Sequence, residues 1–153
     1  MALLSRTSPA RSAPLAATGY TSIVVAALPG PDAAQAVNLA CELAAEKGAT
    51  IAVVSVVEIP ELLPLDARMD AEEDAVHDLF LAAHALADAY GVRVRTHLAR
   101  GREAGPLVVD EVRRRNAQLV LVGYATRERS RPGRTAEHVL RHAPSRVLLV
   151  RSV

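Results

Sequence analysis

Between Gly123 and Gly133 the chain reads Gly-Tyr-Ala-Thr-Arg-Glu-Arg-Ser-Arg-Pro-Gly, and Arg134 and Thr135 follow. Arg127, Arg129, Arg131 and Arg134 therefore crowd one stretch, close to the hydroxyls of Thr126 and Thr135. Guanidinium groups donate paired hydrogen bonds to phosphate or carboxylate oxygens. A glycine that opens a helix leaves the N–H groups of the first turn, and the positive end of the helix, facing an anion. This stretch is equipped for anion binding. The competing reading is a solvated surface loop whose arginines touch nothing, and the pattern alone leaves both open.

Other chemistry-bearing residues read as structural. His77 and His84 are seven apart, which on a helix is ~10.5 Å of rise. That is too far for two ligands of one metal, whose bonds are ~2 Å long. His138 and His142 are four apart and could share a helix face, but no third ligand stands near them in the sequence. Cys41 falls on an apolar stripe and reads as a small hydrophobe. Glu58 and Glu61 bracket a loop and read as solvated acids. There is no G-x-S-x-G elbow, no G-x-x-x-x-G-K-[ST] loop and no Ser-His-Asp order. No residue is assigned a catalytic role, and no metal is expected.

The elements that must position the arginine-rich stretch follow from apolar patterning. The chain has 153 residues, 50% of them hydrophobic, 23% charged, and a net charge of +1. That length suits one domain, and that composition excludes wholesale disorder. No apolar run approaches the ~18 residues of a membrane span. A balance of 18 basic to 17 acidic residues, with aromatics at only 3%, counts against nucleic acid as a partner. A lone cysteine excludes an internal disulfide. Residues 1–19, rich in Ala, Ser, Pro and Arg and free of acids, read as a disordered N-terminal arm or a linker; residues 20–153 read as the folded domain.

From Tyr20 onward, short continuous apolar runs alternate with helical stripes. Ser22–Leu28, Thr50–Val57, Leu119–Val122 and Arg146–Val150 look like strands buried on both faces. Val92–Ala99 alternates apolar and polar residues, which suits an edge strand. Helices are predicted over Ala33–Lys47, Asp70–Tyr90, Pro106 to about Asn116, and Gly133–His142, with Gly48 and Gly91 stopping the first two. The order is β-α-β-α-β-α-β-α-β, which predicts an α/β fold with a parallel sheet covered on both faces. Ligands of such sheets sit beyond the carboxyl ends of the strands, where the strand order reverses. The glycine-flanked connector leaving the fourth strand would border that pocket, expected to be the only one in the molecule.

The stretch LVLVGYATRERSRPGRTAEHVLRHAPSRVLLVR resembles the final strand-loop-helix-strand of the universal stress protein family. SIVVAALPGP and TIAVVSVVE resemble its first two strands, and GREAGPLVVDEVRRRNAQLVLVG its fourth-strand unit. The resemblance implies a five-stranded, flavodoxin-like or adenine-nucleotide-hydrolase-like sheet of order 3-2-1-4-5. It also implies a cytoplasmic homodimer joined at Arg146–Val150, and ATP or AMP as ligand. ATP-binding members are similar to Gly-x2-Gly-x9-Gly-Ser/Thr across this loop. Gly123 and Gly133 match two of those glycines. Thr126 stands at the other glycine position, Arg134 where the hydroxyl residue should follow, and the loop is three residues short. The family's aspartate after the first strand falls on Leu28. The implied site thus comprises Leu28, Val56, Gly123 and Thr126, with Arg127, Arg131, Gly133, Arg134 and Thr135. The expectation is a regulatory binding module with weak or lost ATP binding. The alternative is an ATP- or AMP-binding stress-response switch in which loop arginines replace the lost glycine contacts.

Overall fold

The structure is a computed structural model that describes residues 19–123 and 133–151. In chain order the elements are β1 (Ser22–Ala26), α1 (Pro31–Lys47), β2 (Thr50–Glu58), α2 (Asp70–Tyr90), β3 (Val94–Gly101), α3 (Ala104–Arg114), β4 (Leu119–Gly123), α4 (Arg134–His142) and β5 (Arg146–Val150). All neighbouring strands pair parallel, in the order β3-β2-β1-β4-β5.

Strand alternation sorts the core into two layers. Ile23, Val25, Ile51, Val53, Leu119 and Leu121 face α1 and α2. Val24, Ala26, Ala52, Val54, Val120 and Val122 face α3 and α4. Both faces of β1, β2 and β4 are apolar because both are covered, which explains their continuous runs. The chain steps one way from β1 to β3 and the other way to β4 and β5. A uniform crossover hand then requires the two helix pairs to lie on opposite faces, as they do. The order reverses between β1 and β4, so the expected ligand cleft opens at the carboxyl ends of those strands.

The predicted helix ends hold at Gly48 and Gly91, whose φ angles of 68° and 69° lie in the left-handed region that glycine adopts without strain. Other bounds move. β1 ends at Ala26 rather than Leu28, and β3 begins two residues later than its pattern suggested. α3 starts at Ala104 rather than Pro106, taking Gly105 into its first turn. A Cβ on Gly105 would come within 2.7 Å of the His138 Cβ, so this glycine lets α3 and α4 touch.

Candidate functional site at the carboxyl edge of the sheet

At the end of β1 the chain passes through Leu28, Pro29 and Gly30 into α1. Leu28 is half-buried against the core layer under α3 and α4, and Val56 of β2 is buried in that same layer. The two form an apolar corner on one side of the strand ends. Gly123 closes β4 facing the opposite helix pair. A Cβ there would lie 3.0 Å from the Asp32 Cβ, so the glycine admits the first turn of α1 to the sheet. Asp32 itself is buried at 8% exposure. Gly123 thus has a reason in helix packing, independent of any phosphate.

Gly133 precedes α4 in extended conformation, and no side chain caps that helix end among the described residues. Arg134 and Thr135 line a small cavity of ≈ 50 Å³ together with Glu58, Glu103 and His138. Glu58 is exposed, as its sequence context suggested, but it ends β2 and has a partner. Its Oε2 accepts the Ala104 N–H at 2.8 Å and so holds the start of α3. A carboxylate at that helix end is favoured by the helix dipole. Glu58 and Glu103 make this cavity acidic as well as basic, which disfavours a highly charged triphosphate there. Thr126, Arg127 and Arg131 lie outside the described residues.

The pocket at this edge is not the only one. A groove of ≈ 330 Å³ runs between α1 and α2, lined by Pro29, Ala33, Val37, Leu79, Ala82 and other residues, almost all apolar. A polar cavity lies at the opposite, amino-terminal edge of the sheet. Sequence patterning could not see gaps left where small side chains face one another across elements.

The remaining candidates take structural places. His77 and His84 are exposed on α2. The rings of His138 and His142 stack with centroids 4.2 Å apart, and His142 Nδ1 lies 2.9 Å from the His138 carbonyl oxygen. Cys41 is fully buried, and that burial pushes its thiol pKa up. Among the described residues no group of three or more His, Cys, Asp or Glu is placed to hold a metal ion.

Two arginines at the end of β3 went unnoticed in the sequence. Arg102 Nη1 donates to the carbonyls of Ile59, Pro60 and Leu63, with Leu63 at 2.8 Å. Arg100 donates to the Leu65 and Ala67 carbonyls and pairs with Glu73. Together they fix the connector 59–69 above the carboxyl edge. Nothing in a one-dimensional pattern distinguishes such arginines from solvated ones.

The model of the universal stress protein family matches residues 19–151. The chain belongs to that family. A universal stress family protein from Burkholderia pseudomallei shares 26% identity at a TM-score of 0.67, covering 85% of this chain and 95% of its own. A universal stress protein from Archaeoglobus fulgidus, solved in complex with dAMP, shares 24% identity at a TM-score of 0.68, covering 86% of this chain and 98% of its own. A universal stress protein solved in complex with cAMP shares 19% identity at a TM-score of 0.69, covering 87% and 98%. No curated protein matches the chain. The universal stress fold and its strand order, implied by the resemblance, are those of the structure.

Proposed function

We propose that this universal stress protein is a non-enzymatic regulatory binding module of the cytoplasm. It takes a nucleotide of the adenosine monophosphate class at the carboxyl edge of β1, β2 and β4, with weak or lost ATP binding, and it works as a homodimer joined at β5. The observation that carries the ligand reading is the mixed character of the corner where α4 begins. An uncapped helix start beside Arg134 and Thr135 suits one phosphate. Glu58 and Glu103 in the same cavity oppose the accumulated charge of three. Leu28 and Val56 offer an apolar surface to a base. Relatives of the same fold that carry dAMP and cAMP support the same class of ligand.

The dimer reading rests on β5. It is a sheet edge whose Val147, Leu148, Leu149 and Val150 are only half-buried. An edge of that composition is a template for another strand, and a two-fold axis would pair two copies antiparallel. No helix among the described residues is long and apolar enough to cross a membrane.

Calorimetric titration of AMP, ADP and ATP into the purified protein tests the ligand reading. The expected order is AMP at least as tight as ADP, and ATP weakest. ATP binding ten-fold tighter than AMP would overturn it and favour the switch in which arginines grip the triphosphate. In that case Arg131→Ala combined with Arg134→Ala should abolish the ATP preference.

A further inference from the structure

At the amino-terminal edge of the sheet, far along the strands from the nucleotide corner, three arginines line a cavity of ≈ 350 Å³. Arg93 and Arg95 are two apart at the start of edge strand β3, so their side chains leave the same face of the sheet, the one covered by α3. Arg115 arrives from the C-terminal end of α3. The floor is made of small side chains on that face. Ser22 pairs with Thr50, and Ala52 with Arg95. α3 ends at Arg114, and nothing large fills the space above them.

The arginines are not equivalent. Glu111 on α3 is buried at 3% exposure, and its Oε1 accepts the Arg115 Nε–H at 3.0 Å. Its other oxygen pairs with Arg114 and lies 3.6 Å from His97 Nε2. Glu111 therefore locks the orientation of Arg115 while leaving both Nη groups as donors. Neither Arg93 nor Arg95 has a side-chain partner among the described residues. No acidic residue lines the cavity. One buried carboxylate is shared by two arginines, and the charge of Arg93 and Arg95 remains uncompensated.

We propose that this cavity is a phosphate site, distinct from the nucleotide corner, in which Arg93, Arg95 and the Glu111-oriented Arg115 clasp a phosphate dianion. Guanidinium groups gathered along one cavity can match the oxygens of a tetrahedral dianion through paired hydrogen bonds, which a carboxylate, with two oxygens, would engage less completely. Free orthophosphate and the terminal group of a small phosphomonoester present the same oxygens to this site.

The test is calorimetric titration of the full chain at fixed ionic strength with orthophosphate and with glycerol 3-phosphate, in parent and in Arg93→Ala/Arg95→Ala. Both substitutions are on exposed side chains, so the fold is retained, and a circular dichroism melt verifies this. Binding in the parent, lost ten-fold or more in the double variant, is the expected result. Tighter binding of glycerol 3-phosphate identifies an ester as the ligand, and tighter binding of orthophosphate identifies the free ion. A double variant that binds as well as the parent, or no binding of either compound, would overturn the proposal. Glu111→Gln adds a finer check. Weakened phosphate binding that Arg115→Ala does not weaken further places Glu111 as a positioning residue; additive losses contradict that role.

Discussion

Cys41 shows how one side chain couples burial to pH. It is fully enclosed on α1, and burial raises its thiol pKa above the ordinary 9.0. A group whose folded pKa is raised stabilises the fold fully below its unfolded value and loses that contribution as pH rises through the folded one. Tyr20 acts in the same sense from 10.0, through burial first and the nearby Glu46 second. Thermal stability should therefore be flat near neutrality and fall on the alkaline side, from about pH 9 upward. Melting curves of the parent and Cys41→Ala between pH 7 and 11 check this. The gap between them should narrow as the parent's thiol is forced to ionise, and a constant gap contradicts it. The same burial predicts that Cys41 reacts with a thiol reagent at pH 8 only after the protein is unfolded in denaturant.

The glycines separate two kinds of closeness. A Cβ on Gly105 would meet the His138 Cβ and ring within 2.9 Å, and a Cβ cannot swing away. A Cβ on Gly101 would meet Leu107 Cδ1 at 2.6 Å, which is the far end of a flexible side chain. Gly105→Ala should therefore destabilise by about 1–3 kcal/mol, the range for overpacking, while Gly101→Ala should cost under about 1 kcal/mol. Urea unfolding of the two variants decides, and equal losses would show that α3 and α4 separate more easily than their contact suggests.

Among the elements, the connector 59–69 is the one whose order depends on single residues. It has no helix or strand of its own, and Leu62 at its tip is 97% exposed. Its carbonyls are held by Arg100 and Arg102. Arg102→Ala should speed amide exchange across 59–69 and open it to limited proteolysis, while global stability in urea shifts by less than about 1 kcal/mol. Uniformly faster exchange through β2 and β3 would instead make Arg102 part of the global fold.

The elements were legible in the sequence to the extent that apolar periodicity controls them. β5, α2 and both left-handed helix stops follow directly from patterning, because each is set by local chemistry and by burial on known faces. The start of α3 was misplaced because Pro106 suits a first turn, whereas packing against His138 and the Glu58 carboxylate set the true start two residues earlier. At the site, Arg134 and Thr135 line one small cavity, and Leu28 and Val56 share one core layer. Gly123 has a packing role that the pattern did not show, since its missing Cβ makes room for Asp32. Contacts between residues far apart in the chain, such as Glu111 with His97 or Arg102 with Leu63, have no periodic trace.

Across the whole molecule the charges nearly balance, at a formal net charge of +1. Asp70, Glu72 and Glu73 open α2 at the carboxyl edge of the sheet, whereas Arg93, Arg95 and Arg115 gather at the amino edge. Sedimentation or light scattering on the full chain should report twice the 16.2 kDa protomer mass if β5 joins two copies. A monomer at tens of micromolar would remove the dimer while leaving the nucleotide and phosphate readings standing.

The two borders of the sheet are chemically unlike. β5 offers a run of Val and Leu after Arg146, whereas β3 follows Arg93 and carries Arg95 and Arg100 within its length. Cationic side chains along a strand border repel a like border. If two copies join at β5, ten strands form a single continuous sheet whose outer borders are two β3 strands rich in arginine, and assembly terminates after that one joining event.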